Sequence, residues 1–83
     1  MFYVAYFSES PRDPRRFPSM AACIREFRDD AGYFGSERAD VYACVSEDSW
    51  ESAQRFEGIG CPFDGIDVRL TLGPRGGVIR ERG

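Results

Sequence analysis

The chain contains no lysine, no histidine and no asparagine. Without histidine it lacks the one side chain that titrates near neutrality when unperturbed. It also lacks the usual base for a nucleophilic serine or cysteine, and any imidazole to complete a zinc site. All basic side-chain charge rests on eleven arginines, a bias that points to the source genome rather than to a mechanism. Cysteine is sparse. Cys23, Cys44 and Cys61 are odd in number, far apart and form no C-x-x-C, so they read as reduced thiols rather than as a disulfide framework or metal ligands. Long hydrophobic runs are missing too: the longest, MFYVAYF at residues 1–7, falls far short of the ~20 residues that cross a bilayer, and no basic segment precedes it. The expectation is a soluble, cytoplasmic protein that does not meet a membrane. Acid–base chemistry would fall to carboxylates, but Asp29/Asp30 and Glu47/Asp48 are sequence neighbours, which on a helix point about 100° apart rather than across a cleft. No catalytic residue, cofactor site or metal site is therefore nominated, and the chain is not expected to be an enzyme.

What is present suffices for a small globular domain. Eighty-three residues enclose one core and cannot be split into two, so residues 1–83 form a single domain. With 42% hydrophobic and 14% aromatic residues, the chain has enough apolar surface to fold. Charge is unevenly laid out. Residues 26–67 hold eleven acids against three arginines, a net of −8, whereas residues 1–25 carry +2 and residues 68–83 carry +3.

MFYVAYF is aromatic and β-branched, and its two faces, Phe2/Val4/Tyr6 and Tyr3/Ala5/Phe7, are both apolar, as in a central strand covered on two sides. SESPRDPRRFPS, with three prolines, reads as a loop ending at Ser19, a helix N-cap. From there Met20, Cys23, Ile24, Phe27 and Ala31 fall in one stripe at helical spacing, with Ala22, Arg25, Glu26 and Asp29 facing away and Gly32 as the terminating glycine. ADVYACV alternates, with Val41, Ala43 and Val45 on one face and Asp40, Tyr42 and Cys44 on the other, and predicts a strand. SEDSWESAQRFEG gives a short helix with Trp50, Ala53 and Phe56 on its dry side, and Ser46 or Ser49 at its start. GIGCPFDG reads as loop. IDVRLTL alternates, with Ile66, Val68, Leu70 and Leu72 inward, and GPRGG turns it back into VIRER as a hairpin. The expected fold class is α+β: about four mostly antiparallel strands, one main helix and a possible second short helix, in the order β-α-β-(α)-β-β.

For function, the acidic middle is the strongest signal. Glu47, Asp48 and Glu51 suit the N-terminal part of a helix, where the macrodipole favours them, and Glu51 can pair with Arg55 one turn on. Asp29 and Asp30 stand at the opposite, disfavoured end of the first helix, and Arg15 and Arg16 precede its start, also with the wrong sign. Nothing in helix stability calls for either. With Glu37 and Asp40, the stretch DDAGYFGSERAD places four carboxylates around Tyr33 and Phe34, a pattern suited to a basic protein partner, although a solvated acidic face accounts for the same charges.

In size, charge layout and texture, including FPSMAACIREFRDDAG and LGPRGGVIRERG, the chain resembles the anti-CRISPR proteins of phages and mobile elements that bind type I CRISPR effector complexes. The resemblance implies an inhibitor, acting in a bacterial host, that occupies the DNA-binding surface of the effector and blocks target DNA binding. The partner would be a basic protein surface, with direct nucleic-acid binding not expected and the protein itself a monomer or weak dimer. The residues nominated for partner binding are, on charge alone, Asp29, Asp30, Glu37, Asp40, Glu47, Asp48 and Glu51, with Tyr33 and Phe34 as apolar anchors. A second reading is a nucleic-acid-binding regulator using Tyr3, Phe7, Arg69, Arg75, Arg80 and Arg82. A third is a structural phage protein that works as an oligomer.

Overall fold

The computed structural model describes residues 1–55 and 67–82. Five strands and two helices follow in the order β1 (Phe2–Phe7), β2 (Ser10–Phe17), α1 (Met20–Phe34), β3 (Arg38–Cys44), α2 (Glu47–Arg55), β4 (Val68–Leu72) and β5 (Val78–Arg82). The strands form one sheet in the spatial order β2-β1-β3-β4-β5, with every neighbouring pair antiparallel. The α+β class, the main helix and the second short helix are as the sequence implies. The sheet has one strand more.

That strand is β2, which the proline count assigns to a loop. Arg15, Arg16 and Phe17 pair regularly with Ala5, Val4 and Tyr3, and Ser10 pairs with Phe7. Between these two stretches β2 sets Pro11, Arg12, Asp13 and Pro14 against the single residue Tyr6. Both prolines thus lie in an irregular bulge of an edge strand, where a missing N–H breaks no ladder. Phe17 then turns into the core beside Phe7, their rings stacked with centroids 6.1 Å apart.

Alternation along β1 feeds two cores. Ala5 and Phe7 face α1 and pack with Phe17, Cys23, Phe27, Ala39, Val41 and Leu70. Phe2 and Val4 face α2 and pack with Cys44 and Ala53, with Tyr6 and Trp50 at the margin. Burying a phenylalanine stabilises by about 1.5–3 kcal/mol, so Phe7, Phe17 and Phe27 make the α1 side the heavier layer.

Both faces of β3 are covered. Ala39 and Val41 are buried on one side and Tyr42 and Cys44 on the other, while Ala43 is exposed and Val45 is 87% exposed beyond the strand end. In β4, Leu70 is buried, Val68 is half-buried and Leu72 lies at the margin; Ile66, Phe56 and the GIGCPFDG stretch lie outside the described residues. The β4–β5 turn is closed by the Gly73 N–H donating to the Gly77 carbonyl (2.7 Å) and the Gly76 N–H to the Gly73 carbonyl (3.0 Å), with Gly76 at φ 81°.

Helix α1 starts where the sequence places it, with Ser19 Oγ accepting from the Ala22 N–H at 3.1 Å. It ends three residues later than expected. Gly32 stays helical, and Gly35, at φ 77°, is the left-handed residue that closes the helix through its N–H to the Ala31 carbonyl. The buried face also differs: Asp30 joins Cys23 and Phe27, Ala22 is half-buried against the core, and Met20, Ile24 and Ala31 are only partly covered. In α2, Ser46 Oγ accepts from the Asp48 N–H (3.2 Å) and caps the start.

The two glycines separate the two helix ends experimentally. Ala at Gly32, an open helical position, is expected to stabilise by about 0.5–1 kcal/mol. Ala at Gly35 is expected to destabilise by about 1 kcal/mol, because it forces a Cβ into the left-handed region. Urea denaturation of the two variants reads the opposite signs; the reverse order would put the helix end back at Gly32.

Candidate functional site: an acidic aromatic tip on the first helix

The pleat of β2 sends its two adjacent arginines to opposite faces. Arg15 goes to the α1 side, where its guanidinium lies 4.5 Å from the Phe7 ring centroid and donates to Asp30 Oδ1 at 2.9 Å. The Asp30 side chain is 2% exposed, and its other oxygen accepts from the Ser36 hydroxyl. Arg16 goes to the α2 side, 4.0 Å from the Phe2 ring centroid, and donates to both carboxylate oxygens of Glu47 at 2.5 and 2.6 Å. The Arg16 hydrogen bonds hold the Glu47 carboxyl below its ordinary value of 4.5, and the same contact raises Arg16.

These contacts reassign several of the nominated acids. Asp30, placed by the sequence among exposed carboxylates, is a buried structural group; its position at the helix end is set by Arg15 rather than by the dipole. Arg15 and Arg16 owe their place before the helix to the same two long-range partners. Asp40 lies on the α2 face of the sheet, 3.2 Å from Arg69 and 3.6 Å from Arg38. Glu47 is occupied by Arg16, and Glu51 sits 3.9 Å from Arg55, as the helical spacing implies.

The nominated residues also divide in space. Asp40, Glu47, Asp48 and Glu51 belong to the α2 side, with Glu47 at the Phe2 end of the sheet. Asp29, Tyr33, Phe34 and Glu37 lie on the α1 side, at the Phe7 end. There Ser8 Oγ accepts from the Glu37 and Arg38 N–H groups (2.9 and 3.2 Å), and the Glu9 N–H donates to Ser36 Oγ at 3.4 Å. The nine residues do not make one contiguous surface.

What the fold does gather is a tip built from the last turn of α1, the turn after it and the β1–β2 turn. Tyr33 is 86% and Phe34 69% exposed, with ring centroids 6.4 Å apart. Asp29, Glu37 and Glu9 are exposed around them, and among the described residues none of the three forms an ion pair. Glu9 was not nominated from sequence. Its link to the tip runs through Ser36, 27 residues away, and no local pattern signals it. Two adjacent solvated rings beside unpaired carboxylates offer apolar contact at the centre and charge steering at the rim.

The second set of nominated residues is split as well. Phe7 is fully buried and Arg69 is engaged with Asp40 on the α2 face, so neither is offered to a nucleic acid. Arg75 lies in the β4–β5 turn, while Tyr3, Arg80 and Arg82 share the α1 face. Cys23 and Cys44 are buried free thiols; burial pushes Cys23 up to about 12 and raises Cys44, which makes both poor nucleophiles, and Cys61 lies outside the described residues. Among the described residues there is no cluster of three or more potential metal ligands, and no helix is long and apolar enough to cross a membrane.

Comparison with protein-family models, with curated proteins and with solved structures gave no match. The functional reading therefore rests on the geometry of this chain.

Two predictions follow from the arginine pair. Arg15→Ala leaves a buried carboxylate without its cation and is expected to cost about 3 kcal/mol, whereas Arg25→Ala on the exposed side of α1 should stay within about 0.5 kcal/mol; urea midpoints compare them directly. Glu47 stabilises the fold fully above its ordinary value of 4.5, and that contribution is lost as pH falls through its lowered folded value. Trp50 fluorescence in an acid titration should report this loosening of α2 in the native chain, and Glu47→Gln should remove that component. A titration curve indifferent to the substitution would show that the pair does not anchor the helix.

Proposed function

We propose that this chain is a binding protein that docks through the tip of α1 onto a basic surface of another protein, acting as an inhibitor rather than by chemistry of its own. One observation carries the reading: Tyr33 and Phe34 stand side by side in solvent in a domain whose other phenylalanines, where described, are buried. Exposed aromatic pairs of this kind supply the central contacts of protein interfaces, where a few anchors account for most of the affinity. The carboxylates of Asp29, Glu37 and Glu9 form no ion pair among the described residues, so their charge is directed outward and speeds encounter with a cationic surface.

The resemblance to anti-CRISPR proteins selects the first partner to assay. A type I CRISPR effector complex presents a basic DNA-binding surface, and a protein seated there blocks target DNA binding in the cytoplasm of a bacterial host. In this reading Asp30 and Asp40 support the fold, and Glu47, Asp48 and Glu51 lie outside the contact.

The test is co-purification with type I effector complexes, followed by affinity measurement with and without target DNA. Tyr33→Ala with Phe34→Ala is expected to weaken binding by tenfold or more. Asp29→Ala with Glu37→Ala should mainly slow association and flatten its salt dependence. Asp30→Ala is unsuitable as a probe because it disturbs the fold. No affinity for any effector complex would sink the choice of partner, and affinity indifferent to both double substitutions would sink the site.

A further inference from the structure

The sheet carries a second surface of opposite sign on its α1 face. A groove of about 410 Å³ opens between the first turn of α1 and the strands, lined by Tyr3, Met20, Asp67, Val68, Arg80 and Arg82 among others. Tyr3, Met20 and Val68 are partly buried against the core, which fixes the floor. Arg80 and Arg82 lie on one face of β5, two residues apart and so about 7 Å from each other along the strand. Both are exposed, and neither forms an ion pair among the described residues. Asp67 brings one carboxylate to the groove, but it is drawn onto the Ala43 N–H at 2.8 Å, and two guanidinium groups outweigh it.

The neighbouring groove around Arg16 and Glu47 differs in kind. It is of similar size and lined by Met1, Phe2, Pro18 and Val45, but its two charged side chains, Arg16 and Glu47, satisfy each other.

We infer that the Tyr3/Arg80/Arg82 groove binds single-stranded nucleic acid, a base stacking on Tyr3 while Arg80 and Arg82 hold successive phosphates. A fixed, half-buried ring with unpaired arginines beside it is the combination that single-strand binding uses: stacking tolerates any base, and the charges follow the backbone. A duplex does not serve, because its stacked bases cannot reach a ring in the groove. The inference is independent of the tip on α1, which is built from other residues at the last turn of the helix and carries the opposite charge.

Fluorescence anisotropy with a labelled 12-nucleotide oligo-dT and oligo-U, from 20 to 300 mM salt, tests it with the full chain. Two neutralised phosphates predict a slope of log K against log salt of about −1.4. Arg80→Ala with Arg82→Ala, both on an exposed edge, should lower affinity about tenfold or more and bring the slope close to zero. Tyr3→Leu, which keeps an apolar floor, should lower affinity about tenfold and leave the slope intact. Circular dichroism confirms that each variant is folded, and the Tyr33→Ala/Phe34→Ala variant should bind the oligonucleotide as the native chain does. The proposal is overturned by no binding at 20 mM salt, by binding that survives the double arginine substitution, by equal affinity for a mononucleotide, or by an acidic peptide that competes as well as the oligonucleotide.

Discussion

Arg15 and Arg16 are consecutive residues of an edge strand, and the pleat turns them to opposite faces of the sheet. Each lies over a phenylalanine of β1, Phe7 on one side and Phe2 on the other, and each reaches a carboxylate on the helix that covers that side. The remaining architecture leans on this pair. A carboxylate as buried as Asp30 is tolerable only with its charge compensated and its lone pairs used. Arg15 supplies the cation and Ser36 the second hydrogen bond. Ser36 also accepts from the Glu9 N–H, so the end of α1, the start of β3 and the β1–β2 turn are joined through one carboxylate. Β-strand pairing alone would leave β2, with its two prolines and four-residue bulge, a weak edge.

The two layers are not equivalent. On the α1 side, three phenylalanines, Leu70 and the Asp30 cluster are fully or nearly fully buried. On the α2 side the buried set among the described residues is Phe2, Val4, Tyr42, Cys44 and Ala53, and Trp50 remains half-covered at the margin. The fixing of α2 therefore depends more on the exposed Arg16–Glu47 pair, which salt screens and acid removes. Loosening of this layer is expected to precede loss of the sheet, because Ala5, Val41 and Leu70 pack in the cluster under α1 independently of α2.

Much of the fold is legible in the sequence where the signal is local. Ser19 caps a helix, MFYVAYF has two apolar faces because it is covered twice, and GPRGG makes a hairpin whose positive φ falls on Gly76. The errors share a cause. β2 is hidden because three prolines outvote a strand whose only strong apolar residue is Phe17, and edge position is not written in local composition. Gly32 looks like a terminator, yet helix propensity costs only about 1 kcal/mol per glycine, and the tertiary contacts of Asp30 with Arg15 and Ser36 carry the helix past it. The acids show the same limit. Asp29 and Asp30 are adjacent and chemically alike in the sequence, and only the position of Arg15, fifteen residues upstream, makes one structural and leaves the other free. Glu9 joins the tip through a contact that spans 27 residues, beyond the reach of any periodicity.

Sorting the acids by internal partner changes what the negative charge means. Asp30, Asp40, Glu47 and Glu51 are held by arginines of the same chain, so the −8 of the central segment overstates the field that a partner meets. Glu9, Asp29 and Glu37 remain uncommitted around the β1–β2 turn and the end of α1, and Arg80 and Arg82 on the β5 edge. Separated patches of opposite sign orient an approaching macromolecule before contact as well as attracting it. Substituting the paired acids alters stability first and the field second; substituting the unpaired ones does the reverse. The exposed rings fit that division. Tyr33 and Phe34 stand beside carboxylates that the fold does not use, and Tyr3 beside arginines that it does not use, so in each patch the apolar contact and the uncommitted charge occupy the same few square nanometres.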